Sequence, residues 1–169
     1  TMLITSLLIL FGAAGMAYFF HNQHDKYAQI PDLAKVSKTV KRFGQRVPLL
    51  PTWSEEELEK QLAKYLQIHF RQVRRQFPIG DLSQRERIDL DIANGAFGIE
   101  LKLTHLLHKT NERNRLFGQI DTYQARRYGK QRLLVVIVGE RDWQQTPIAI
   151  ELKQIIVGKG AGFVFLPTT

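Results

Sequence analysis

The stretch Arg87-Ile88-Asp89-Leu90-Asp91-Ile92-Ala93-Asn94-Gly95-Ala96-Phe97-Gly98-Ile99-Glu100-Leu101-Lys102-Leu103 decides how this chain reads. Each half alternates apolar and polar residues, and Asn94-Gly95 between them is the strongest short hairpin signal. A two-residue turn fixes the register. Ile92 then faces Phe97, Leu90 faces Ile99 and Ile88 faces Leu101 as one apolar seam. On the opposite face Asp91 meets Gly98, Asp89 meets Glu100 and Arg87 meets Lys102. Two carboxylates set opposite each other repel unless a positive charge lies between them. A divalent metal resolves the conflict, because carboxylate oxygens are the ligands that Mg²⁺ and Mn²⁺ prefer. Lys102, two residues after Glu100, projects from the same face, where its ammonium holds a water or a phosphate.

An Asp on one strand and Glu-x-Lys on the next resembles the PD-(D/E)xK, or restriction-endonuclease-like, nuclease superfamily. In that superfamily these residues bind the metal and activate the attacking water. Asp89, Glu100 and Lys102 match the pattern residue by residue, although no proline precedes the Asp. Asp91 competes as the first ligand, and the register favours Asp89. Downstream, residues 111–128 predict a helix with Leu116, Ile120, Tyr123 and Arg127 at three- and four-residue spacing and Gly129 as its stop. Gln119 and Tyr123 are four apart and share a face of it. This Gln-x-x-x-Tyr resembles the motif of the superfamily's RecB-type branch, where Gln lies near the active site and Tyr near the nucleic acid. The resemblance covers residues 54–138. It implies Mg²⁺ (or Mn²⁺) as cofactor, Asp89 and Glu100 as its ligands, and Asp89, Glu100, Lys102, Gln119 and Tyr123 as the catalytic set. A second Glu-x-Lys, Glu151-Leu152-Lys153, follows Thr146-Pro147 in a segment that reads as a helix ending at Gly158 and lacks a preceding acidic hairpin. It is a decoy.

Upstream, Ser54-Glu55-Glu56-Glu57 is a capping box that opens a helix predicted to run to about Gln76. Its apolar stripe is Leu58, Leu62, Leu66, His69 and Val73. At 100° per residue Glu55 falls on that stripe, Glu59 at its margin, and Glu56 and Glu57 point away. Many superfamily members place a Glu from this helix beside the metal, which makes Glu55 the candidate third ligand. A first-turn Glu that only complements the helix dipole is the plainer reading. His69 reads as a core or boundary residue. With no cysteine in the chain, and no ligand spacing among His21, His24, His105 and His108, a zinc site is not expected.

After Gly129 the run Leu133-Leu134-Val135-Val136-Ile137-Val138 has the continuous apolarity of a central, doubly covered strand. A helix over 147–157 and a strand over 161–166 follow. The order α-β-β-α-β-α-β predicts an α/β fold, a mixed sheet flanked by helices, which agrees with the restriction-endonuclease-like core. Three segments result: residues 1–20, 21–53 and 54–169.

The first of these includes residues 3–20, which carry no charge and span about 27 Å as a helix, enough for a transmembrane segment. No basic residue precedes this run, whereas Lys26, Lys35, Lys38, Lys41 and Arg42 follow it. A secretory signal is therefore disfavoured, and the positive-inside rule sets the C-terminal domain in the cytoplasm, as a single-pass protein of the inner membrane. In the linker, Leu33, Val36, Val40 and Phe43 line one side of a basic amphipathic stretch that either lies on lipid headgroups or packs on the domain.

With 24 Lys and Arg against 16 Asp and Glu, the net charge of +8 calls for a polyanionic partner. Arg87, Arg113, Arg115, Arg126, Arg127 and Lys130 bracket the acidic hairpin and are the expected nucleic-acid contacts, giving affinity without sequence preference. The expectation is a membrane-anchored, Mg²⁺-dependent nuclease that prefers DNA to RNA and serves in defence against phage or other foreign DNA arriving through the membrane. The expected partners are nucleic acid, membrane lipid, and a second copy or a membrane-bound defence complex. The rival is a catalytically silent nuclease-fold subunit that binds nucleic acid or scaffolds an assembly.

Overall fold

The structure is a computed structural model that describes residues 31–80 and 86–169. Residues 31–169 form one compact unit. Helix α1, Leu33–Arg46, is capped by Asp32, whose side chain accepts from Lys35 N at 2.7 Å. Val36, Val40 and Phe43 on its inner side are fully buried. Each such side chain contributes about 1.5–3 kcal/mol relative to exposure. The basic stretch thus packs its apolar side on the domain, and the core starts upstream of Ser54. Helix α2, Glu55–Gln67, opens as predicted, with Ser54 Oγ accepting from Glu57 N at 3.2 Å.

Helix α2 ends at Gln67, nine residues short of the expected Gln76, so His69 and Val73 are not part of its stripe. The chain turns through Gln72, held at φ 51°, and Arg74–Pro78 form a strand, β1. Arginines and a terminal proline suit an edge strand, whose outer side faces water. The hairpin follows as β2, Arg87–Ile92, and β3, Phe97–Leu103. Helix α3, Thr110–Tyr123, gives way to a wider π-type turn over Gln124–Tyr128, and Gly129 at φ 68° ends it. Strand β4, Leu133–Gly139, is buried along its whole length, as its unbroken apolarity demanded. A short 3₁₀ turn leads to α4, Pro147–Gly158, and to the last strand β5, Gly162–Pro167. The decoy Glu151 and Lys153 lie exposed on α4.

The five strands stand in the order β1-β2-β3-β4-β5. The first three pair antiparallel, and β3, β4 and β5 pair parallel. Two apolar layers cover this mixed sheet. One joins α1 and α2 to Leu90, Ile92, Ile99 and Leu101; the other joins α3 and α4 to Ile88, Val135 and Ile137. The fold is therefore α/β with a mixed sheet flanked by helices, and α1 and β1 are additions to the expected order. Among the described residues no helix is long and apolar enough to cross a membrane. The predicted span over residues 3–20 lies outside the described residues.

The hairpin register is as read, with Ile92 opposite Phe97, Asp91 opposite Gly98 and Leu90 opposite Ile99. The turn is wider than two residues: Ala93, Asn94 and Gly95 all take positive φ within a four-residue bend. The seam also fails at one point. Ile88 leaves the layer of Leu90 and Ile92 and packs with Tyr123 and Tyr128 across the sheet, so the pleat reverses face at Asp89. Gly98 makes room for this crossing, since a Cβ there would stand 2.5 Å from Ile88 Cδ1 and 2.8 Å from the Tyr128 ring. Gly98→Ala is expected to lower unfolding free energy by about 1–3 kcal/mol. Urea denaturation measures it, and an unchanged midpoint would show the crossing to be slack.

Candidate active site

The reversal at Asp89 opens the sheet. Below Leu90 the backbone pairing of β2 with β3 ceases, and Asp89 Oδ2 instead accepts from Leu101 N at 2.7 Å. A side chain thereby takes a donor that a neighbouring strand would have satisfied. The gap so formed is the mouth of a cleft of about 760 Å³. Its lining includes Glu55 at the start of α2, Asp89 of β2, Glu100 and Lys102 of β3, and Gln119 and Tyr123 of α3. The structure thus brings together every residue of the predicted catalytic set and the tentative Glu55.

Asp91 is not part of it. Fully buried, its carboxylate takes Arg74 Nη2 at 3.0 Å, Tyr128 Oη at 2.8 Å and Gly95 N at 3.1 Å, which secures the hairpin turn. Glu100 is 1 % exposed and Lys102 7 %. The Lys102 ammonium donates to Glu100 Oε1 at 2.7 Å, while Glu100 Oε2 has no hydrogen-bond partner among the described residues. A buried carboxyl oxygen without a partner is costly, and it is an atom to which a cation would be drawn in exchange for the proton. Glu55 is held in place, with one oxygen accepting from Leu103 N at 3.1 Å. Tyr123 donates its hydroxyl to Arg87 O at 2.8 Å and accepts from Gln119 Nε2 at 3.1 Å. Gln119 Oε1 is buried and unpartnered as well.

Electrostatics follow from that crowding. Burial, reinforced by Asp89 and opposed by Lys102, pushes the Glu100 carboxyl up to about 8. Burial likewise lifts Asp89 to about 6, against the pull of Lys102 and the Leu101 N–H. Lys102 stays charged: burial disfavours its ammonium, but Glu100, Glu55 and Asp89 together outweigh that and raise it. Tyr123 is pushed above its ordinary value by burial and by Glu100 and Asp89, so its phenol stays neutral.

Among the described residues no group of three or more His, Asp and Glu side chains makes a preformed metal cage. Mg²⁺ does not need one, since it keeps several waters and is commonly held by one or two carboxylates together with substrate phosphates. Asp89 and, once a cation displaces its proton, Oε2 of Glu100 would supply hard oxygen donors of that kind, and this donor chemistry fits Mg²⁺ or Mn²⁺. Of the predicted nucleic-acid contacts, Arg87 and Arg115 line the cleft, and Arg126 stands beside its rim, 3.4 Å from Glu86. The others are drawn elsewhere. Arg113 donates to Leu107 O, His108 O and Thr110 Oγ1 at the start of α3. Arg127 stacks on Phe77 beside the hairpin turn and reaches Asn94 O, while Lys130 lies against Gly160.

Sequence reading missed Glu59 and Gln76. Glu59 is 3 % exposed and accepts from Arg75 Nε at 2.7 Å and from Gln76 Nε2 at 2.6 Å, close behind Asp89. Its signal was its place one helical turn after Glu55, at the margin of the stripe formed by Leu58, Leu62 and Leu66. Against known proteins, no family model, curated protein or solved structure matches the chain.

A carboxyl whose folded pKa is raised binds its proton more tightly in the native state than in the unfolded chain. Its stabilising effect is complete below about 4 and is lost as pH climbs through 6 for Asp89 and 8 for Glu100. Metal-free wild type should therefore lose stability relative to Glu100→Gln between pH 5 and 8.5. Parallel urea midpoints for the two proteins over that range would contradict the assigned burial of charge.

Proposed function

We propose that this chain is a metal-dependent nuclease of the PD-(D/E)xK kind, RecB-type, which hydrolyses phosphodiester bonds in DNA. The observation that carries the reading is the cleft in which Asp89, Glu100 and Lys102 converge, with Glu100 Oε2 buried and unsatisfied. When bound there, a divalent cation would supply an acidified water and positive charge against the scissile phosphate. Asp89 and Glu100 would hold it, and Glu55, tethered to Leu103 N, stands at the same opening.

Lys102, kept protonated by three surrounding carboxylates, acts as a donor: it orients the attacking water and faces the negative charge of the transition state. Gln119 lines the cleft, and its amide N–H fixes the Tyr123 hydroxyl. Arg87, Arg115 and Arg126 would bear the phosphates on either side of the cleft. Phosphate contacts of this number give modest, salt-sensitive affinity without sequence preference.

The charge-free run at residues 3–20 and the basic residues after it support a single-pass anchor in the inner membrane with this domain in the cytoplasm. A nuclease at that face meets DNA as it enters, which favours a role against injected phage or other foreign DNA, alone or within a membrane-bound defence complex.

Lys102→Ala and Glu100→Ala should each reduce Mg²⁺-dependent cleavage by about a hundredfold or more, with circular dichroism unchanged. The assay is incubation with linear, circular and single-stranded DNA, with and without Mg²⁺. Cleavage undiminished in both variants would overturn the reading. DNA binding without any cleavage by wild type would favour a silent nucleic-acid-binding subunit.

A further inference from the structure

One residue in the middle of β1 adopts a backbone that strands avoid. Arg74 and Arg75 pair with Asp91 and Leu90, and Phe77 and Pro78 pair with Ile88 and Arg87. Gln76 therefore falls opposite Asp89, the one position within this register where pairing lapses. There Gln76 takes φ 48°, the left-handed region that side chains other than Gly, Asn and Asp seldom enter. Glycine would sit there without strain, yet a long polar side chain is present.

What that conformation gains is visible in the side chain. Gln76 Nε2 donates to Glu59 Oε2 at 2.6 Å and to Asp89 Oδ1 at 3.3 Å. Two carboxylate oxygens flank this group, so only the NH₂ end of the amide can face them; a carbonyl there would be repelled from both sides. One amide with two hydrogens thus bridges a buried acid on α2 to the acid that lines the cleft on β2. The main chain adds to the anchorage, since Gln76 O accepts from Arg87 Nη1 at 3.0 Å. Behind Glu59 stands Arg75, which neutralises it at 2.7 Å. Asp89 is then gripped on both oxygens, Oδ2 by Leu101 N and Oδ1 by Gln76.

We infer that Gln76 is a positioning residue of the cleft: its strained backbone aims a carboxamide that fixes the orientation of Asp89 toward Glu100 and ties it to the Glu59–Arg75 pair. This rests on the reading of Asp89 and Glu100 as cation ligands. Strain of this kind persists only where surrounding contacts enforce it, and it gathers at sites that need a side chain held in one geometry. Groups that orient a metal-binding carboxylate typically change affinity by 10–100-fold when removed.

The test separates fold from site. Mn²⁺ is titrated calorimetrically into the 169-residue chain as wild type, Gln76→Gly and Gln76→Ala, and each protein is melted without metal. Gln76→Gly removes the carboxamide and relieves the backbone, so it should melt above Gln76→Ala, which loses the same carboxamide but keeps the strain, while binding Mn²⁺ about tenfold or more weakly than wild type. Gln76→Ala should lose affinity to the same degree and melt lower than the Gly variant. If Gln76→Gly binds Mn²⁺ as wild type does, the positioning role is refuted while the metal site stands. A Gly variant that melts no higher than the Ala variant would refute the strain. If wild type itself takes up no Mn²⁺, the metal-site reading falls, and the inference with it.

Discussion

The cleft depends on the hydrogen bond from Leu101 N to Asp89 Oδ2. In a regular hairpin that N–H would be spent on the neighbouring strand's backbone, and the two strands would stay zipped to their ends. Here the carboxylate takes it, β2 parts from β3, and the pleat of β2 changes face so that Ile88 crosses to the α3 layer. The opening exposes one side of Asp89 while Glu100 and Lys102 remain behind it on β3. A single local exchange of a backbone acceptor for a side-chain acceptor thus makes the space and furnishes part of its chemistry.

The electrostatic cost of this arrangement is local and visible. Two carboxylates and a third from Glu55 share the cleft with one ammonium. Lys102 relieves part of the repulsion and satisfies one oxygen of Glu100, but leaves the other without a partner. Packing alone would favour an apolar residue at position 100, since β3 is otherwise buried. Fold stability gives no reason to keep an acid there, which is the pattern expected where a function calls for it.

Much of this was legible in the sequence, because its signals are local. Asn94-Gly95 and the alternation around it set the register that puts Asp89 near Glu100, and that register holds over the three pairs nearest the turn. The four-residue spacing of Gln119 and Tyr123 placed both on the cleft side of α3. Arg-rich residues 71–76 misled, because charged side chains on an edge strand carry no periodic signature, and β1 is specified by its pairing to β2 rather than by its own composition. The reversal at Asp89 was hidden for a related reason: alternation assumes an unbroken pleat, and the break comes with the Asp89 carboxylate taking the Leu101 N–H and with the room left by Gly98. The basic residues were counted by sequence proximity, whereas Arg113 and Arg127 are committed to carbonyls and a ring in the scaffold.

The most direct test is a crystal structure of the chain soaked with Mn²⁺, with data collected at a wavelength where manganese scatters anomalously. An anomalous peak between the Asp89 carboxylate and Glu100 Oε2, with Lys102 beside it, is the predicted result. Well-ordered Asp89 and Glu100 side chains with no peak between them at saturating Mn²⁺ would contradict the central claim that this opening in the sheet is a cation site.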